Sequence, residues 1–92
     1  MGGTFTIYPP DYDGPIEDGY RCNNESEWVA SHLNKGDRCW FRKNKLSMRP
    51  GTFMSAWFYD GVIAEVYEDD PDDFIRWSLF LDLGDELRAE AP

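Results

Sequence analysis

The run at residues 56–69 limits what this chain can fold into more than any other stretch. It reads Ala-Trp-Phe-Tyr-Asp-Gly-Val-Ile-Ala-Glu-Val-Tyr-Glu-Asp. Aromatic and β-branched residues at this density favour an extended, half-buried backbone. Gly61 at its centre predicts a bulge or sharp bend that divides the run into strands at 56–60 and 62–68. A second apolar run precedes it, Gly36-Asp37-Arg38-Cys39-Trp40-Phe41-Arg42, and a third follows over 74–83. Three such runs with turn material between them predict a mainly β chain built as an antiparallel meander. In the first run, taken as a strand over 36–43, alternation puts Cys39 and Phe41 on one side and Arg38, Trp40 and Arg42 on the other. In the third, Ile75, Trp77, Leu79, Leu81 and Leu83 alternate with Arg76, Ser78, Phe80 and Asp82. Glu86-Leu87-Arg88 is expected to add a short strand or helical turn, and residues 89–92 a frayed tail.

Residues 44–55 separate the first two runs. Pro50-Gly51 is a turn signal, so the whole stretch is predicted to be a long connection. Connections of this length in small domains are candidate binding elements. Ahead of the meander, residues 4–8 alternate polar and apolar residues and predict a short strand ended by Pro9-Pro10. Residues 11–20 are loop chemistry. The acidic residues there fail the spacing of a calcium loop, because Gly14 falls at the fourth position from Asp11. Residues 25–34 predict one helix, with Asn24 as its cap, Glu27 completing a capping box and Gly36 stopping it. Trp28, Val29 and Leu33 form its apolar stripe. His32, the only histidine, is expected on the helix surface or half-buried.

Ninety-two residues make a single domain. No apolar run is long enough to span a membrane. The start lacks a basic segment followed by an apolar one, so no signal peptide is expected, and Gly2 without a further cue predicts no myristoylation. The expected location is the cytoplasm, or the nucleus in a eukaryotic cell. Two cysteines, Cys22 and Cys39, allow one disulfide in an oxidising compartment; the preferred reading is a reduced, buried Cys39. Two cysteines and one histidine predict neither metal site nor cofactor.

The net charge of −9 is unevenly spread. Residues 35–49 carry Lys35, Arg38, Arg42, Lys43, Lys45 and Arg49 against Asp37 alone, whereas the segments on either side are strongly acidic. An acidic body repels phosphate and favours a basic partner. The candidate acidic patch is Asp60, Glu65, Glu68, Asp69, Asp70, Asp72, Asp73, Asp82, Asp85 and Glu86. The candidate basic element is Arg38, Arg42, Lys43, Lys45 and Arg49.

Three pieces taken together resemble the Tudor domain family: Gly36-Asp37-Arg38-Cys39, then Phe58-Tyr59-Asp60-Gly61-Val62-Ile63, then Phe80-Leu81-Asp82-Leu83-Gly84-Asp85-Glu86. That family opens with a Gly-Asp-x-Cys strand, reads roughly Trp-Tyr-x-Ala-x-Ile in its second strand and ends its fourth with Phe-x-Asp-Tyr-Gly-Asn. The resemblance spans Lys35 to about Arg88. It implies a small, strongly bent, five-stranded antiparallel barrel, which in that family binds methylated Lys or Arg in an aromatic cage. Tyr59 and Phe80 fall on cage positions and keep their aromatic type. Lys43 and Leu83 stand where the family has aromatics, and Asp85 stands where it has Asn. Trp40 and Trp57 are candidates to complete the aromatic surface.

No phosphate cradle, nucleophile motif or metal-ligand spacing points to an enzyme. The expected function is therefore a non-enzymatic, acidic protein-binding module that occupies a basic surface of a partner protein or complex. A first alternative is an inhibitor of a nucleic-acid-processing or defence complex, of the kind phages encode, acting by nucleic-acid mimicry or steric block through residues 68–73 and 11–18. A second is a methyl-Lys/Arg reader or a binder of single-stranded nucleic acid.

Overall fold

The computed structural model describes residues 5–70, 72 and 74–92. The expected strand start at Thr4 and the acidic-patch member Asp73 lie outside the described residues. The elements in order are β1 Thr6–Tyr8, β2 Gly19–Arg21, α1 Glu25–Ala30, β3 Arg38–Arg42, β4 Arg49–Phe58, β5 Val62–Glu68, β6 Arg76–Phe80 and β7 Glu86–Arg88.

Strands β3 to β7 form one antiparallel sheet in the order β6-β5-β4-β3-β7. The last strand thus returns to pair with the first strand of the meander, with Trp40 opposite Arg88 and Phe41 opposite Leu87. Alternation divides the sheet into two faces. Cys39, Phe41, Phe53, Ala64, Val66, Leu79 and Leu87 point inward, where they form the core together with Val62, Leu81 and Ala30. The other face carries Arg38 and Trp40, then Ser55 and Trp57, then Ile63 and Glu65, then Ser78 and Phe80.

The central run is a hairpin. Phe58 pairs with Val62 across a three-residue loop, in which Asp60 has φ 56° and Gly61 φ 128°. A side chain at Gly61 would also meet the Asp82 carboxylate. The bend expected at Gly61 therefore becomes a full reversal, and the bulge lies elsewhere, between Phe53 and Ser55.

The long connection expected over 44–55 is corrected. Arg49 to Ser55 belong to β4, and the loop shrinks to residues 43–48. Pro50 is tolerated because it sits second in the strand, before the pairing of β4 with β5 begins at Gly51. Gly51 serves packing, not turning: a Cβ there would lie 2.8 Å from the Phe41 ring.

Two further expectations change. Gly19 and Tyr20, expected as loop, form β2 with Arg21, which pairs in parallel with β1 as a small separate sheet. The helix is shorter than 25–34. Ser31 Oγ donates to the Trp28 carbonyl at 2.6 Å and His32 Nδ1 lies 2.9 Å from it. Side chains thus compete for the carbonyl that a continuing helix would use. His32 is exposed.

Glu27 does more than cap. Asn24 Oδ1 accepts from the Glu27 N–H, as expected of an N-cap. The Glu27 side chain is fully buried. It accepts from Tyr20 Oη at 2.8 Å, Asn23 N–H at 2.7 Å and, across the core, Val62 N–H at 3.0 Å. One carboxyl group ties β2, the helix entry and the first residue of β5 together. Burial first, and then the bond to Glu27, push the Tyr20 phenol well above its ordinary value. Cys22 and Cys39 are free and buried; burial raises their thiols to about 11 and about 12. No helix among the described residues is long and apolar enough to cross a membrane.

Candidate binding surface

The acidic and basic residues singled out in the sequence largely meet each other. Arg38 pairs with Asp69 at 3.4 Å, Arg42 with Glu86 at 2.9 Å, Lys43 with Asp85 at 2.8 Å and Arg49 with Glu68 at 3.1 Å. Glu65 pairs with Arg76 at 3.1 Å. The expected basic loop is thus no free cationic surface. Arg38 and Arg42 stand on β3 and Arg49 on β4, and of the five candidate cations Lys45 alone forms no ion pair among the described residues. Five of the ten candidate carboxylates are engaged in the same way, which leaves Asp60, Asp70, Asp72 and Asp82 without an ion pair among the described residues.

Asp85 is the extreme case. It is buried, and it accepts from Lys43 Nζ, Asn44 N–H and Phe80 N–H, each at 2.8 Å. Burial works to raise its pKa. The Lys43 bond and the two backbone N–H bonds outweigh that and hold the carboxyl below the usual aspartate value. Asp85 is therefore an internal anchor and not part of an open acidic patch. No local pattern could have revealed this, because its cation lies on another strand end.

The same lysine ammonium stands 4.6 Å from the centre of the Phe80 ring and donates to the Ser78 carbonyl at 2.8 Å. A protein cation therefore already occupies one face of Phe80 by cation–π attraction. Trp40 lies apart, at the Pro50 end of β4, with the Arg38 guanidinium 5.1 Å over its ring.

The remaining aromatic candidates, Trp57 and Tyr59, stand with Phe80 at the hairpin end of the sheet. Trp57, Ile63 and Phe80 are direct cross-strand neighbours on the outer face. Tyr59, 78% exposed, stands in the loop after β4, and Leu83, 75% exposed, follows β6. On the inner side of the same end Phe58 packs on Tyr20 and Phe5, with ring centres 4.6 and 5.4 Å apart. Asp60 and Asp82 flank Gly61 here and neither forms an ion pair among the described residues. Exposed aromatic area bordered by free carboxylates suits a cationic, partly apolar ligand. Phe58 and Leu83 were not among the sequence candidates. Their exposure follows from the hairpin and the turn after β6, which alternation within a strand does not encode.

Beside this end runs a groove of about 440 Å³, lined by Ile7, Ala30, Leu33, Lys35 and β4 residues from Phe53 to Phe58. No group of metal-ligating side chains occurs among the described residues. Comparison of the chain with protein-family models, with curated proteins and with solved structures finds no match.

Proposed function

We propose that this chain is a non-enzymatic acidic binding module that occupies a basic surface of a partner protein, and that its sheet is the bent barrel of a Tudor-like domain. The return of β7 onto β3 makes β6 and β7 the two edges of the sheet, and a barrel closes where such edges meet; the bond from Asp85 N–H, just ahead of β7, to the Phe80 carbonyl of β6 at 3.4 Å supports that closure. The observation that carries the function is the division of charge. Four of the five cations of residues 38–49 are paired internally, Lys45 being the exception, while among the described residues Asp60 and Asp82 form no ion pair and stand at the same end of the sheet as Trp57, Tyr59 and Phe80. The unbalanced negative field is thus offered where the exposed aromatic area lies, and it steers a basic partner toward that end.

Methyl recognition is the weaker form of this reading, because Lys43 already covers Phe80. Nucleic-acid mimicry draws on residues 68–73, of which Glu68 and Asp69 are held in ion pairs, and on Asp11, Asp13, Glu17 and Asp18, all exposed on one loop. The hairpin-end reading is preferred because it joins charge to the larger apolar area: Trp57, Phe58, Tyr59, Phe80 and Leu83 are exposed there, against Phe74 alone in the loop of Asp70 and Asp72. Titration of Lys/Arg-rich peptides, methylated and unmethylated, against the wild type, Tyr59→Ala and the double variant Asp60→Asn/Asp82→Asn tests it. Both variants are expected to weaken binding at least fivefold, with no preference for methylated peptide. Unchanged affinity in the double variant rules the reading out.

A further inference from the structure

Among the described residues, one edge of β4 has backbone groups with no partner. Val62 donates its N–H to Glu27 and accepts at its carbonyl from Leu81 N–H at 3.1 Å. Its backbone is therefore turned toward β6. Successive residues of a strand turn their backbone groups to opposite sides, so Ile63 and Glu65 face β4. Their partners Trp57 and Ser55 face β5 in return. Ala56 and Phe58 must then turn their N–H and C=O groups the other way. On that side β3 ends early: its pairing with β4 covers Arg49 to Thr52, and Phe53 is satisfied by Asp37 and Gly36 at 2.8 Å each. Beyond Phe53, no described backbone group bonds the outer edge of β4. The space it faces is the groove lined by Ile7, Ala30, Leu33 and Lys35.

We infer that this edge accepts an extended, Lys- or Arg-containing segment of a partner protein as an added strand against residues 54–58. The N–H and C=O of Ala56 and Phe58 supply main-chain hydrogen bonds, as in strand addition generally. An added strand sends alternate side chains to opposite faces. Apolar ones fit the groove floor of Ile7, Ala30, Leu33 and Val62, and basic ones reach toward Asp60 and Asp82 past the Phe58 end. The charge selects the occupant: a second copy of this chain would bring another −9 to the edge, whereas a basic segment is attracted. This inference rests on the acidic-module reading above and adds the site and the mode of binding.

The probe is the peptide acetyl-(Lys-Val)3-amide, together with two versions N-methylated on alternate amides, one on the Lys and one on the Val residues. Binding is followed by fluorescence titration at low salt and by amide hydrogen exchange. In the free protein the Ala56 and Phe58 amides are expected to exchange at least tenfold faster than those of Ser55 and Trp57. The parent peptide is expected to bind and protect them. One N-methylated version loses at least tenfold in affinity and the other binds nearly as well as the parent. If both methylated versions match the parent, or Ala56 and Phe58 stay unprotected with peptide bound, strand addition is overturned and the acidic-surface reading stands. If the parent does not bind at low salt, both fall.

Discussion

Lys43 and Asp85 join the two halves of the candidate site at the scale of single side chains. Lys43 crosses from the end of β3 to the end of β6, where it meets the Ser78 carbonyl, the Phe80 ring and the Asp85 carboxylate. The pair is partly shielded, so its strength exceeds that of an exposed pair, but each charge also gives up hydration. Both backbone N–H bonds to Asp85 go with it, so the residue anchors the turn after β6 as well as the lysine. Because the carboxyl is held below the ordinary aspartate value of about 3.9 in the folded chain, its stabilisation is fully present above about pH 4 and is lost as pH falls through the folded value. Glu86 acts in the same direction, chiefly through its bond from Arg88 and against the opposing effect of burial. Asp85→Asn is expected to cost about 2 kcal/mol at pH 7, since Lys43 loses its counter-charge. In urea unfolding the gap between variant and wild type narrows toward pH 3. An equal gap at both pH values would mean that Asp85 acts through shape alone.

At the scale of elements, the strands were legible where a local period decides them and illegible where a neighbour does. The burial of Cys39 and Phe41, and the outward turn of Arg38, Trp40 and Arg42, follow from alternation and are found as expected. Pro50-Gly51 carries the chemistry of a turn, yet here it lies inside β4, where the Tyr67 carbonyl oxygen and the Phe41 ring leave no room for a side chain at position 51. Nothing within the stretch 44–55 announces a ring that arrives from β3. The candidate site divides in the same way. Tyr59, Trp57 and Phe80 were readable as aromatics, whereas the pairing of four candidate cations with carboxylates depends on strand order. Opposite predictions follow for the adjacent residues Pro50 and Gly51. Gly51→Ala forces its new methyl against the Tyr67 carbonyl oxygen and the Phe41 ring and is expected to lose about 1–3 kcal/mol by overpacking. Pro50→Ala leaves every cross-strand bond in place and is expected to stay within about 0.5 kcal/mol. Thermal melts of the two variants decide between a strand and a turn at this position: a turn would make Pro50→Ala the more damaging of the two.

For the whole molecule, salt acts on folding and on binding with opposite signs. Asp11, Asp13, Glu17, Asp18, Asp60, Asp72, Asp82 and Glu90 are exposed and lie along a body 46 Å in its longest extent. At 10 mM salt the screening length is about 30 Å, so these charges repel each other across most of the chain. Salt also screens the ion pairs, which opposes the gain. The exposed ones, such as Arg38–Asp69, are worth about 0–1 kcal/mol each, and the partly buried Lys43–Asp85 pair is screened much less. With net charge −9 the repulsion prevails, so Tm is expected to rise by several degrees between 10 and 500 mM NaCl. Affinity for a basic peptide is expected to fall over the same range, because the field that attracts the peptide is the one being screened. Asp60→Asn/Asp82→Asn should reduce both slopes together, since it removes repulsion and attraction at one end of the sheet. A Tm that falls with salt would place the stability of this chain in its ion pairs instead. Binding that ignores salt while Tm rises would move recognition off the acidic end altogether and onto apolar contact alone.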